Sequence, residues 1–587
     1  MGFDFRNTNT LWASVLVETL VRLGLRTAVI SPGSRSTPLT VALVAHAGIE
    51  AIPVLDERSA AFFALGLAKG TGLPTLILCT SGTAGANYYP AVIEARESRV
   101  PLLVITADRP PQLRHCASGQ TIDQQKLFGD FPNWYAELAL PRPQLALLAY
   151  LRQTLVQAWR RTLLPSPGPV HLNCPLEDPL APVEDNSTEG LRASLDDRFW
   201  LGLEPDSGIP SPVLGGVHAS LQGWLGARQS CDRGLIIAGP AQGVDPLAYS
   251  QAINRLSTYL QWPVLAEALS PLRNHAQLQP YLVTTYDLIL RSPHWARGLQ
   301  PDQILQVGAL PTSKVLRQWL DHSLARRWII DSTTDNLDPL HGHTTALSTS
   351  LPEIVLALAQ ETPPSQCSGV YLERWLSLEQ QTRQQLDRNL GAITDLFSGK
   401  VPWLMAQVLP PQTPLVIANS LPIREAEWFW PPGNRGIRPL CNRGANGIDG
   451  TLSTALGVAH GGPPTVLLSG DLALLHDTNG WLTLPWLDGH LTVVVINNQG
   501  GGIFQSLPIA QFEPPFEQWF AMPQRVDLNR LCAAYGVSYE QVSTWDQLRA
   551  CLTFLPDRGA RVLEIRCDRR LDQQRREQLL AASDPYP

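Results

Sequence analysis

Residues 464–504 read PTVLLSGDLALLHDTNGWLTLPWLDGHLTVVVINNQGGGIF. Two apolar, β-branched runs in this stretch, TVLLSG and LTVVVIN, each stop at glycine or a polar residue, with a helix-length segment between them. Continuous rather than alternating apolar runs mark strands covered on both faces, and parallel strands need a crossover of about this length. Asp471 and Asn498 stand at the ends of the two runs, 27 positions apart. One βαβ crossover brings both to the carboxyl edge of a sheet, where ligands of open parallel sheets bind. A carboxylate, an amide oxygen and a free loop carbonyl such as that of Gly500 are hard oxygen donors. Mg²⁺ uses few of these from protein and takes the rest from water and phosphate, which points to a metal holding a diphosphate. Read singly, Asp471 is a helix cap and Asn498 a turn former.

The same pattern extends outward. TAVISPGS (27–34), EAIPVLDE (50–57), PTLILCTSG (74–82), VPLLVITAD (100–108) and GPVHLNCP (168–175) form an N-terminal series of strands. After it, EDPLAPVEDNSTEG reads as a linker. RGLIIAGPA (233–241), PVLAEAL (263–269), YDLILRS (286–292), DQILQVGAL (302–310) and RRWIIDST (326–333) form a second series. A polar helical stretch near Glu373 to Asn389 leads to a third, with PLVIANSLP (414–422) and RVLEIRCDR (561–569) flanking the opening stretch. The expected class is α/β, with three Rossmann-like parallel-sheet domains at 1–185, 186–370 and 371–587.

Composition narrows the function. The 587 residues carry 45 Lys+Arg against 52 Asp+Glu, a net charge of −7, which disfavours a dedicated nucleic-acid binder. The nine cysteines form no CxxC pair and are odd in number, so neither a zinc ribbon nor a disulfide framework is signalled, and a reducing cytoplasm fits. The start, MGFDFRNTN, lacks a basic and apolar leader, and no run approaches ~18 uninterrupted apolar residues. Small molecules are the expected partners.

The Asp471 and Asn498 arrangement resembles the metal-diphosphate motif of thiamine-diphosphate enzymes, Gly-Asp-Gly followed by Asn-Asn, with Gly470 in place and Leu472 where the third residue is usually glycine. The resemblance implies a glutamate from another domain against the cofactor's aminopyrimidine N1′, and Glu57 in VLDERSAAFFALGLAKG is placed for it. A carboxyl sharing a proton with N1′ favours the imino tautomer, whose N4′ can remove the thiazolium C2 proton. Without the metal motif, Glu57 reads as a first-turn residue beside a cap at Asp56 or Ser59. Ile448 in NGIDG matches the bulky aliphatic that holds the cofactor bent.

The likeness becomes closer over SPGSRSTPL (31–39), LDERSAAFFALGLAKG (55–70), TSGTAGANYYPAVIEA (80–95), ITADRPPQLR (105–114), GQTIDQ (119–124), NRGANGIDGTLSTALG (442–457), SGDLALLHD (469–477) and NNQGGGIFQSLP (497–508). These strings resemble the 2-succinyl-5-enolpyruvyl-6-hydroxy-3-cyclohexene-1-carboxylate synthase family, over essentially the whole chain. That family carries leucine at the position of Leu472. The resemblance implies thiamine diphosphate with Mg²⁺ (or Mn²⁺), held through Gly470, Asp471, Leu472, Asn498, Gly500 and Ile503. It implies decarboxylation of 2-oxoglutarate and conjugate addition of the product to isochorismate, within menaquinone or phylloquinone synthesis. It further implies a homodimer or homotetramer in which Glu57 of one subunit meets the Asp471 and Asn498 site of another.

Both substrates are dicarboxylates and call for fixed cations, a task that suits arginine. Arg35, Arg424, Arg443 and Lys314 match family positions contacting carboxylates, as do Ser34, Gln120 and Ser420. Ile503, Phe504 and Leu507 match the apolar wall near the reacting carbon. Where some family members carry a second basic residue after the lysine, this chain has Val315, with Arg317 two further on. An acetolactate-synthase-like carboligase or 2-oxo-acid decarboxylase is the alternative within thiamine chemistry, and it asks for fewer cations. A nucleotide-binding regulatory protein is the alternative outside it, but the chain has neither GxGxxG after a strand nor a GxxxxGKS loop.

Overall fold

A computed structural model describes residues 3–203, 217–228, 231–359, 361 and 369–581. The described chain contains three six-stranded sheets, parallel throughout. The first holds β1 (Thr27–Ile30), β2 (Glu50–Pro53), β3 (Thr75–Cys79), β4 (Leu102–Asp108), β5 (Trp134–Glu137) and β6 (Pro169–Pro175), in the order β2-β1-β3-β4-β6-β5. The second holds β7 (Gly234–Ala238), β8 (Val264–Ala266), β9 (Leu282–Val283), β10 (Gln303–Val307), β11 (Arg326–Asp331) and β12 (Thr344–Ser348), in the order β12-β11-β10-β7-β8-β9. The third holds β13 (Pro414–Ile417), β14 (Arg438–Leu440), β15 (Thr465–Gly470), β16 (His490–Asn497), β17 (Ser538–Val542) and β18 (Gly559–Arg566), in the order β14-β13-β15-β16-β18-β17.

The first and third sheets therefore share one strand order and the second has another. In the first the order reverses between β1 and β3, in the third between β13 and β15, and these switch points are where such sheets leave a crevice at the strand carboxyl ends. The chain divides into two compact units. One comprises Met1–Pro210, Asn442–Gly462 and Leu475–Gly489, and the other Ser211–Cys441, Pro463–Leu474 and His490–Pro587.

In the first unit the helix Glu57–Thr71 packs against the helix Thr451–Ala459. Their closeness depends on glycine. A Cβ at Gly66 would lie 2.1 Å from the Thr454 carbonyl oxygen, and one at Gly457 would lie 2.0 Å from that of Phe63. The stretch read as a linker is pinned rather than loose. Asn7 Nδ2 donates to the carbonyls of Ala181 and Val183, and Asn9 Nδ2 to those of Glu177 and Pro179.

YDLILRS is not a strand. Tyr286–Ile289 forms a helical turn, and β9 lies just before it. Glu379 causes the change of direction, since its carboxylate accepts from the Thr285 N–H at 2.8 Å and from the Thr284 and Thr285 hydroxyls, satisfying the turn's first groups. Tyr286 and Ile289 are buried, so the apolar run that suggests a strand reflects a turn enclosed by core. Eight cysteines of the described residues are free thiols, and Cys367 lies outside those residues. Among the described residues no helix is long and apolar enough to cross a membrane.

Candidate active site

In the second unit, Gly470 pairs with Ile496 in the β15 and β16 register, so Asp471 and Asn498 leave the sheet at one edge. Asp471 is 4% exposed and opens the helix Asp471–His476. Its Oδ1 accepts from the Leu472 N–H at 2.9 Å and its Oδ2 from the Gly500 N–H at 2.8 Å. Burial pushes its pKa up to about 6 against these hydrogen bonds. Residue 472 contributes its backbone N–H to this arrangement, which a leucine supplies as well as a glycine.

Asn498 is 8% exposed, and its Oδ1 is buried with no hydrogen-bond partner among the described residues. A buried, unsatisfied acceptor costs about 1–3 kcal/mol and calls for a ligand. Gly500, at φ 129°, takes a conformation foreign to other residues, and a Cβ there would meet the Ala521 carbonyl oxygen at 2.1 Å. Its own carbonyl accepts from the Gly502 N–H at 2.8 Å and keeps a second lone pair. A desolvated carboxylate, an orphaned amide oxygen and this carbonyl suit a hard divalent cation. Among the described residues no trio of His, Cys, Asp or Glu offers an alternative metal site.

The same unit carries Ser420, Arg424, Lys314 and the apolar wall. Ser420 precedes the helix Leu421–Phe429 at φ 74° and ψ −128°, a strained conformation for a residue with a side chain, and its carbonyl accepts from Arg424 Nη1 at 2.6 Å. Lys314 is exposed at the start of the helix Lys314–Asp321, which Ser313 caps. Val315 packs against the core, and Arg317 Nε donates to the Pro311 carbonyl at 2.9 Å, so Arg317 is tied to its own loop. Ile503 and Phe504 are half-buried in the turn Gly502–Ser506, Phe504 lies edge-on to Phe520, and Leu507 is exposed.

In the first unit, Asp56 caps its helix through the Arg58 and Ser59 N–H groups. Glu57 is thereby released from capping. It is half-buried, and among the described residues its carboxylate accepts no hydrogen bond. Its charge reaches Tyr88 and Cys79 and adds to burial in raising both. Beyond β1, Ser34 is exposed, while Arg35 is 8% exposed with its Nη1 on the Leu176 carbonyl and its Nε buried without a hydrogen-bond partner among the described residues. Burial, with Arg109 nearby, holds the Arg35 pKa below its ordinary value. Gln120, at φ 56°, exchanges hydrogen bonds with Ser81. Arg443 and Ile448 lie half-buried in the loop before the helix Thr451–Ala459.

Two residues of this unit escaped sequence reasoning. Arg109, directly after β4, donates to Ser81 Oγ at 2.9 Å and to the Gly119 carbonyl at 3.0 Å. Its place at a strand end was the available signal. Glu94, 3% exposed, accepts from the N–H groups of Gly444 and Ala445 at 3.0 and 2.7 Å and so holds the loop of Arg443 and Ile448. Nothing local in the sequence announces it.

Residues 12–127 match the family model described as thiamine pyrophosphate enzyme, N-terminal TPP binding domain, and residues 218–417 that described as middle domain of thiamine pyrophosphate. Relatives are similar over nearly the full length. A 2-succinyl-5-enolpyruvyl-6-hydroxy-3-cyclohexene-1-carboxylate synthase from Gloeothece citriformis (strain PCC 7424) is 53% identical over 575 residues, 98% of each chain. Synthases of the same name from Synechococcus sp. (strain JA-3-3Ab) and Trichormus variabilis (strain ATCC 29413 / PCC 7937) are each 54% identical, covering 98% and 99% of this chain and 96% and 98% of their own. The chain belongs to this synthase family. Membership agrees with the α/β class expected from the strand runs, and the N-terminal match makes thiamine diphosphate the family's cofactor.

Proposed function

We infer that the protein is a 2-succinyl-5-enolpyruvyl-6-hydroxy-3-cyclohexene-1-carboxylate synthase. It decarboxylates 2-oxoglutarate and adds the four-carbon unit to isochorismate by conjugate addition, releasing CO₂, as a step toward menaquinone or phylloquinone. The observation that carries this reading is the pairing of buried Asp471 with the orphaned Asn498 oxygen at one sheet edge, in a chain more than half identical to synthases of that name.

When bound, thiamine diphosphate supplies an acidic thiazolium C–H and an electron sink for the departing carboxylate. Asp471, Asn498 and the Gly500 carbonyl would hold Mg²⁺ or Mn²⁺ for the diphosphate, with Gly470, Leu472 and Ile503 lining the seat. Glu57 shares a proton with the aminopyrimidine N1′, a task that fits a carboxylate relieved of capping by Asp56. Ile448 would supply the apolar support beneath the cofactor. Arg35, Arg424, Arg443 and Lys314, with Ser34, Gln120 and Ser420, bind the substrate carboxylates. Ile503, Phe504 and Leu507 keep water from the reacting carbon.

This reading places a pyrimidine-binding domain at 1–185, a cofactor-free domain at 186–370 and a diphosphate-binding domain at 371–587, in a cytoplasmic homodimer or homotetramer with active sites at subunit interfaces. The test supplies the purified protein with thiamine diphosphate, Mg²⁺, 2-oxoglutarate and isochorismate and identifies the product by mass spectrometry. Consumption of isochorismate that needs all four, with a product equal to both substrates less CO₂, is expected. Turnover of pyruvate with 2-oxoglutarate ignored would overturn the substrate reading in favour of an acetolactate-type enzyme.

A further inference from the structure

Two of the cations proposed to bind substrate, Arg424 and Lys314, stand on different elements of the second unit, and one buried polar network joins those elements. The helix Leu421–Phe429 carries Arg424 and, one turn on, Glu427, which is 2% exposed. Glu427 Oε2 accepts from the Ala268 N–H at 2.7 Å, and Oε1 accepts from the Tyr286 hydroxyl. Arg273, fully buried, lies 3.2 Å from the Glu427 carboxylate and donates to the Glu427 backbone carbonyl at 2.9 Å.

The residues next to Ala268 and Tyr286 face the other way. Glu267 accepts from the Thr312 hydroxyl at 2.7 Å, and Asp287 accepts from the Ser313 hydroxyl, the cap of the helix that opens with Lys314. Glu267, Asp287 and Ser313 are all buried. Residues 267–268 and 286–287 are thus two parallel bridges. Each grips the Arg424 helix with one residue and the Lys314 loop with its neighbour. On its other side the Arg424 helix is held by Glu425, which accepts from Ser398 Oγ at 2.6 Å and pairs with Arg576 at 2.7 Å.

A helix anchored on both sides can sustain the strained Ser420 at its head, which an unanchored helix would relax. Such double anchorage exceeds what folding the helix requires, since replacing buried ion pairs with apolar side chains is often neutral or stabilising. The groups facing Glu427 are all donors, apart from the Glu267 charge nearby. Burial and that charge push Glu427 up to about 7 while Arg273 opposes them.

We propose that Glu427, bridged through Tyr286–Asp287 and Glu267–Ala268, is a positioning residue that sets the separation of Arg424 from Lys314 and thereby the fit of dicarboxylate substrates. The proposal rests on the synthase reading above. It predicts that Glu427→Gln, which keeps the shape but removes the charge facing buried Arg273 and reverses the hydrogen bond with the Tyr286 hydroxyl, raises the KM for 2-oxoglutarate and isochorismate by about tenfold. The variant should leave kcat at saturation and thiamine diphosphate affinity within about twofold. Tyr286→Phe and Thr312→Val each remove one bridging hydroxyl and should shift the same KM values by about threefold to tenfold. Tyr286→Phe carries the test if the Glu427 variant does not fold.

KM unchanged in folded variants would overturn the proposal. So would a rise in KM accompanied by matching losses of cofactor affinity and melting temperature, as a merely structural role requires. A wild-type protein that does not consume isochorismate with 2-oxoglutarate would instead remove the reading beneath it, before any variant is compared.

Discussion

Glu94 and Ala445 meet through a 2.7 Å hydrogen bond from the Ala445 N–H to a carboxylate whose other oxygen takes the neighbouring Gly444 N–H, across 351 positions of sequence. This double acceptance fixes the loop between Arg443 and Ile448. Replacing Glu94 with Gln points an amide N–H at a backbone N–H and gives up one charge-assisted bond, worth about 1.5–3 kcal/mol. Urea unfolding should show a loss of about 2 kcal/mol. Turnover should fall further than that loss of folded protein explains if the loop holds Arg443 and Ile448 in the roles proposed above.

Asn498→Ala separates function from stability. The side-chain oxygen it deletes has no protein partner among the described residues, so unfolding free energy should change by less than about 1 kcal/mol. Calorimetric titration with thiamine diphosphate in Mg²⁺ should weaken by at least about tenfold. Unchanged affinity would remove Asn498 from the metal site.

Gly457→Ala should be costly and Gly470→Ala should not. The first places a methyl 2.0 Å from the Phe63 carbonyl oxygen, while a Cβ at Gly470 meets nothing within 4 Å among the described residues. Overpacking at a helix crossing costs about 1–3 kcal/mol. Thermal melts of the two variants should therefore differ by several degrees, with Gly470→Ala close to wild type.

His171 sets an acid limb on stability. It is fully buried in β6, its Nε2 lies 2.8 Å from Thr106 Oγ, and that hydroxyl donates onward to Asn173. Nε2 must then carry the ring proton, and Nδ1 has no partner among the described residues. Burial drives the pKa from 6.5 down to about 3. With the folded value depressed, the unfolded chain takes up the proton first. The contribution is complete above pH 6.5 and is lost as pH falls toward 3, by up to about 1.4 kcal/mol per unit. Denaturant titrations at pH 7, 6 and 5 should show that slope, reduced in His171→Gln.

The strands that the sequence discloses are, apart from the edge strand β2, central ones such as β4 and β16, whose residues are buried on both faces and so read as unbroken apolar runs. Strands that went unread, β5, β9, β12, β14 and β17, all lie at sheet edges, where side chains are partly exposed or the strand is only two or three residues long. That Asp471 and Asn498 share one sheet edge was legible because both follow strands joined by one crossover. Glu94, Glu427 and Tyr286 were not. Their roles depend on partners 141 to 351 positions away, and a buried carboxylate looks in sequence like any other acidic residue of a helix.

The first sheet is complete once Pro175 is made, yet the helix Thr451–Ala459 that seats against Gly66 is synthesised long afterwards. While the intervening chain leaves the ribosome, the nascent N-terminal sheet must carry the face around Phe62, Phe63 and Leu67 without its final cover. The same chain passes between its two units at 210/211, 441/442, 462/463, 474/475 and 489/490, so no single cut divides it into halves that fold separately. Expression of an N-terminal fragment ending near residue 200 should therefore yield an apolar, chaperone-dependent product.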